Sequence, residues 1–199
     1  LSIRRQRQMC IRDRYITMKY IVGAYVSAPS LTYDSLEDEA NFYKKLKEIP
    51  QIRGLEIPFW GDTINKFGDN FLIDQIDESW ENTLTCAPCA TDPTLLADNI
   101  GLASNDNSAR NQSLALHREA FRIFNTINDR FGKNMFLSVQ ITSSPVNKND
   151  QSSALSFQKS LEEILSWNWG STDILVEHCD KYEETGFDKG FLSLEDEIQ

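Results

Sequence analysis

The chain has 199 residues and a formal net charge of −10, with 40% hydrophobic and 11% aromatic residues. That composition can bury a globular core, and no apolar run approaches the ~20 residues that a membrane-spanning helix needs. Residues 1–17 hold five Arg and one Asp, net +4, so the 182 residues from Met18 onward carry −14. A body this acidic repels phosphate backbones, which argues against DNA or RNA as a partner.

The first segment in chain order is Arg4-Arg-Gln-Arg-Gln-Met-Cys-Ile-Arg-Asp-Arg14. It resembles the translation of an adaptor used to build sequencing libraries. Read in that way, residues 1–17 are a non-native, disordered leader and the natural start is Met18. The other reading is a transit peptide or a nucleic-acid arm. After Met18 comes one Lys and a short mixed strand, with no apolar h-region, so a cytoplasmic location is expected. A gene taken from a library fragment is also expected to be cut at its other end.

From there strand-like and helix-like segments alternate. Residues 20–26 form a β-branched and aromatic run ended by Ser27-Ala-Pro-Ser30. Asp34 or Ser35 can cap a helix with apolar positions Leu36, Ala40, Tyr43 and Leu46, stopped by Pro50. Residues 52–57 predict a second strand, 70–76 a short helix, and 82–87 a third strand. Asp106, Asn107 and Ser108 offer caps for a long helix whose stripe is Leu114, Phe121, Phe124, Ile127 and Phe131, ending at Gly132. Residues 134–143 alternate, with Leu137, Val139 and Ile141 on one side and Ser138, Gln140 and Thr142 on the other. Ala154, Phe157, Leu161, Ile164 and Leu165 mark the next helix, residues 172–178 a fifth strand, and residues 194–199 the start of another helix.

This alternation predicts a parallel α/β fold in one domain over residues 18–199. The turn after the first strand, Ser27-Ala-Pro-Ser-Leu31, has neither a G-x-G-x-x-G nor a P-loop, which favours a (β/α) TIM-type barrel over a doubly wound sheet. A barrel needs about 250 residues, so the chain is expected to hold about five of its eight βα units. A smaller, complete open α/β domain is the alternative.

In a barrel the chemistry sits at the C-terminal ends of the strands. The second strand delivers Glu56, the fourth Gln140 and Thr142, and the fifth Glu177, with His178 and Asp180 following. Charged groups after hydrophobic strand residues are expensive to bury without a partner or a metal. Glu56 and Glu177 are therefore the candidate catalytic pair, with Glu177 also a candidate metal ligand. A salt bridge to Arg53 or another rim cation is the competing role for Glu56. Adjacent strand residues face opposite ways, so Glu177 is expected in the site and His178 at its flank. Gln140, Trp60 and His178 are candidate substrate contacts, Trp60 as a stacking wall. Trp167 and Trp169 precede the fifth strand and are expected to pack. His117 is expected to face solvent beside Arg118 and Glu119, as is the acidic tail at Glu183, Glu184, Glu195, Asp196 and Glu197. Cys86-Ala-Pro-Cys89 has C-x-x-C spacing but no second ligand pair, and reads as two thiols on a strand end and its loop.

The segments Met18-Lys-Tyr-Ile-Val-Gly-Ala-Tyr25, Arg53-Gly-Leu-Glu-Ile-Pro-Phe59 and Leu175-Val-Glu-His-Cys-Asp180 resemble an uncharacterised bacterial family longer than this chain. That family is similar to the xylose-isomerase-like barrels, which include sugar isomerases, sugar-phosphate epimerases and endonuclease IV-type enzymes. The resemblance implies a divalent metal (Mn, Co, Mg or Zn) and carries over one residue, Glu177, as metal ligand and acid/base. The other ligands of that superfamily come from later strands. The expected function is a metal-assisted sugar or sugar-phosphate isomerase or epimerase acting on a small carbohydrate. A glycoside hydrolase or a non-catalytic carbohydrate-binding barrel is the alternative.

Overall fold

A computed structural model describes residues 19–32, 34–145, 151–178 and 191–198. The leader at 1–17, the acidic pair Glu183 and Glu184, and Asp180 lie outside the described residues. Five strands carry the fold: β1 (Tyr20–Val22), β2 (Ile52–Pro58), β3 (Asn82–Thr85), β4 (Phe136–Ile141) and β5 (Asp173–Val176). All neighbours pair in parallel, in the order β1-β2-β3-β4-β5.

Between the strands lie α1 (Leu36–Lys47), α2 (Asp69–Gln75), α3 (Ala87–Ala90), α4 (Pro93–Ala97), α5 (Asn107–Phe131) and α6 (Ala154–Leu165), and α7 (Leu194–Glu197) follows β5. The strand order never reverses, so crossovers of one hand stack their helices on one face of the sheet. That face is apolar: Leu55, Ile57, Leu84, Val139 and Ile141 pack with Ile123, Phe124, Ile127, Phe157 and Ile164. The opposite face is polar. Glu56 pairs in register with Thr83 and Thr83 with Ser138, while Thr85 pairs with Gln140. The expected barrel thus reduces, among the described residues, to an open five-stranded parallel sheet with β1 and β5 at its edges.

Local chemistry sets the element ends. Ser35, Asp106 and Ser153 each accept a backbone N–H in the first turn of α1, α5 and α6, and Gly132 ends α5 in the left-handed region at φ 64°. Two expectations need correction. The first strand stops at Val22, and the chain tightens into a 3-10 turn over Ala24–Ser27, which re-aims Tyr25. The segment after β3 is helical rather than strand end and loop, with Cys86 capping α3 and Cys89 within it.

Close strand approach depends on two residues. A Cβ at Gly54 would stand 2.0 Å from the Glu81 carbonyl oxygen, so only glycine lets β2 meet the start of β3. Asn82 is fully buried. Its Oδ1 accepts the Leu55 N–H at 2.9 Å and its Nδ2 donates to the Met135 carbonyl at 3.0 Å. One side chain therefore ties β2 to the entry of β4 where the β3 register shifts.

Under the apolar face, Phe121 and Phe124 meet Trp169 edge-on at 4.6 and 5.0 Å, and the Trp169 indole N–H donates to the Ile164 carbonyl at 2.8 Å. Trp169 thus packs as expected. His117 does not face solvent: it is 3% exposed, and its Nδ1 donates to the Ser113 carbonyl at 2.8 Å. It sits on the α5 stripe, three residues after Leu114 and four before Phe121. Burial pushes its pKa below the usual 6.5, against a smaller opposing effect of the Ser113 hydrogen bond.

Two outcomes follow from these contacts. Asn82→Leu leaves the buried Leu55 N–H unpaired, while the Met135 carbonyl keeps the backbone N–H of residue 82, and should lower unfolding stability by about 2 kcal/mol in urea titration; an unchanged midpoint would contradict the bridging role. His117 is favoured neutral when folded, so its contribution is fully present above the unfolded pKa and is lost as pH falls below it. Stability measured from about pH 7.5 to about pH 5 should therefore fall more steeply for the wild type than for His117→Leu; parallel curves would count against this.

Candidate functional site

The parallel strands end on one side of the sheet, and the turns after β1, β2, β3 and β5 meet there. Glu56 lies near the end of β2 on the polar face. Arg53 does not claim it: that guanidinium pairs with Glu81 at 2.6 Å. The Glu56 Oε1 instead accepts the Tyr25 hydroxyl at 2.9 Å. Glu177 stands one residue beyond β5 and continues its ladder, donating its N–H to the Ile141 carbonyl at 2.8 Å. Strand alternation puts it on the same face as Leu175, which pairs with Gln140.

A cavity of about 300 Å³ joins these groups, lined by Tyr25, Glu56, Trp60, Thr91, Glu177 and Phe191 among others. Glu56 and Glu177 are 121 positions apart in sequence yet share this space. Trp60 is 49% exposed and meets the Tyr25 ring edge-on, with centroids 6.0 Å apart and planes at 85°. Burial is the largest cause that pushes the Tyr25 phenol far above its ordinary pKa, followed by its hydrogen bond to Glu56 and the charges of Glu56 and Glu177. The phenol therefore remains a donor throughout the physiological range.

The remaining predicted residues are placed differently. Gln140 lies on the polar face of β4 but is not among the cavity's described walls, and its buried Oε1 has no partner among the described residues. His178 turns from the cavity. Its Nδ1 lies 2.8 Å from the Glu197 carboxylate, an ion-pair contact whose angles do not make a hydrogen bond. Glu197 is not part of a solvated tail: its side chain is 3% exposed, and it also accepts the Ser143 hydroxyl. That hydroxyl in turn accepts the Leu192 N–H at 3.0 Å.

Among the described residues no cluster of three or more His, Cys, Asp or Glu side chains forms a metal cage. The two cavity carboxylates fit a cation such as Mg²⁺ or Mn²⁺, which is commonly held by one or two carboxylates plus water or substrate. Carboxylate oxygens also serve zinc, usually beside His or Cys ligands. The Cys86–Cys89 pair adds none. Both thiols are buried, the Cys89 Sγ donates to the Cys86 carbonyl, and burial pushes Cys89 up to about 12, so it stays a protonated thiol. Tyr25, Thr91 and Phe191 were not singled out by the sequence. Tyr25 had one signal, Gly23, which interrupts the first strand just before it.

No helix among the described residues is long and apolar enough to cross a membrane. No solved structure matches the chain. An uncharacterized protein of Salmonella typhimurium is 33% identical over 176 residues, which is 88% of this chain and 56% of that protein. The chain thus spans little more than half the length of the curated relative it matches. A family model described as a domain of unknown function, DUF4862, matches residues 21–199. The chain belongs to the DUF4862 family.

Proposed function

We propose that this protein works as a metal-assisted sugar or sugar-phosphate isomerase or epimerase, built on a (β/α)8-type barrel. The observation that carries the reading is the meeting of Glu56 and Glu177 in one cavity beside a half-exposed Trp60. Residues 18–199 would supply the first five units of the barrel. Support for that architecture comes from the sequential strand order, which a doubly wound sheet lacks, and from the resemblance of residues 18–25, 53–59 and 175–180 to a bacterial family that is itself similar to the xylose-isomerase-like barrels.

Aldose–ketose conversion and epimerisation both move a proton at a carbon next to a carbonyl. One carboxylate removes the proton as general base and an acid returns it at the neighbouring carbon or the opposite face. Glu177 is assigned the base and Glu56 its partner, with the Trp60 ring against the apolar side of the sugar. A Mg²⁺ or Mn²⁺ ion held by the two carboxylates would stabilise negative charge developing on the substrate oxygen. The −14 charge of the body supports a small-molecule substrate over a nucleic acid.

The direct test incubates the protein with Mn²⁺ and a panel of pentoses, hexoses and their phosphates in D₂O. Deuterium is expected at the carbon beside the carbonyl, lost on adding EDTA and reduced about 10³-fold in Glu177→Gln. Exchange indifferent to both would rule the reading out. The same carboxylate pair also favours glycoside hydrolysis, for which cleavage of aryl glycosides should survive EDTA.

A further inference from the structure

We propose that Tyr25 is the positioning residue of this site, its hydroxyl holding the Glu56 carboxylate in the orientation that receives a cation. The inference rests on the functional reading above for its ligand, and on three observations about this chain for its geometry.

First, Tyr25 spends its single donor on Glu56, at 2.9 Å. A carboxylate held through one oxygen by a neutral donor keeps its charge and its other oxygen for a cation, whereas pairing to Arg or Lys would neutralise it. Arg53, the nearest basic residue in sequence, is committed to Glu81. Second, the backbone is shaped to bring the phenol there. The strand ends at Val22, and the 3-10 turn over Ala24–Ser27 folds the chain against β2. Gly23 lies beside the carboxylate, where an added Cβ would make an ordinary contact with Glu56 Oε2 at 3.7 Å. Third, Tyr25 itself lines the cavity, and its ring is braced edge-on by Trp60. The hydroxyl thus links an aromatic wall to a carboxylate, the arrangement by which outer partners orient metal ligands.

Glu177 differs. Among the described residues its carboxylate has no hydrogen bond or ion pair, so Tyr25 distinguishes the two acids: Glu56 is held and Glu177 is left free to turn toward a substrate.

The test uses Mn²⁺ alone as probe, with free ion measured by electron paramagnetic resonance on wild type, Tyr25→Phe, Glu56→Gln and the double variant. Tyr25→Phe keeps the ring and its contact with Trp60 and removes only the hydroxyl. It should weaken Mn²⁺ binding about tenfold, with unchanged thermal unfolding. In the Glu56→Gln background the same change should have no further effect, because the hydroxyl acts through that carboxylate. Equal effects of Tyr25→Phe in both backgrounds, or no effect while Glu56→Gln weakens binding, would overturn the positioning role alone. A wild type without affinity for Mn²⁺, or one untouched by Glu56→Gln, would overturn the metal-assisted reading and the role of Tyr25 with it.

Discussion

The arrangement depends on the contact that Asn82 makes across three strands. In a parallel sheet every side chain's face follows from register, and a slip of one residue turns Glu56 from the polar face into the apolar core. Asn82 prevents that slip. Its buried amide takes the Leu55 N–H on one side and gives to the Met135 carbonyl on the other, at the point where β3 shifts register against β4. Gly54 complements it by letting the Glu81 backbone come close. With those two residues in place, Glu56, Thr83 and Ser138 share one face, and β5 adds Glu177 to the same end of the sheet.

From this constraint the division of the molecule into a packing side and a chemical side follows. A strand order that never reverses concentrates helices on one face, and there α5 and α6 bury the aromatic cluster around Trp169. The other face keeps small polar residues and two carboxylates. Both edges of the sheet still present apolar side chains to solvent, Ile21 on β1 and Leu175 and Val176 on β5. In the barrel proposed above these are the surfaces that further strands would cover.

Much of the fold was legible because periodicity and capping agree. The stripes of α5 and α6 and the alternation of β4 each name one face, and Ser35, Asp106 and Gly132 mark ends that backbone chemistry requires. Barrel closure belongs to the proposal: the five described strands form an open sheet, and periodicity within a strand does not encode which strand meets its edge. At the site, reading strand ends led to Glu56, Trp60 and Glu177, which the cavity brings together. It missed Tyr25, because a β-branched and aromatic run hides the break at Gly23. His117 was misjudged from its charged neighbours, although its spacing from Leu114 and Phe121 places it on the buried stripe. Glu197 was misjudged because an acidic run gives no sign that one member reaches inward to Ser143 and His178.

Glu56 from β2 and Glu177 from the end of β5 line one cavity of about 300 Å³, and the proposed function requires that the two carboxylates share a cation there. Paramagnetic broadening tests it most directly: protein labelled with ¹³C at the glutamate carboxyls is titrated with substoichiometric Mn²⁺, and the two signals are assigned by Glu56→Gln and Glu177→Gln. The account predicts that both resonances broaden together and before those of surface glutamates such as Glu37 and Glu195. Broadening of only one of them, or of the surface set first, would contradict it.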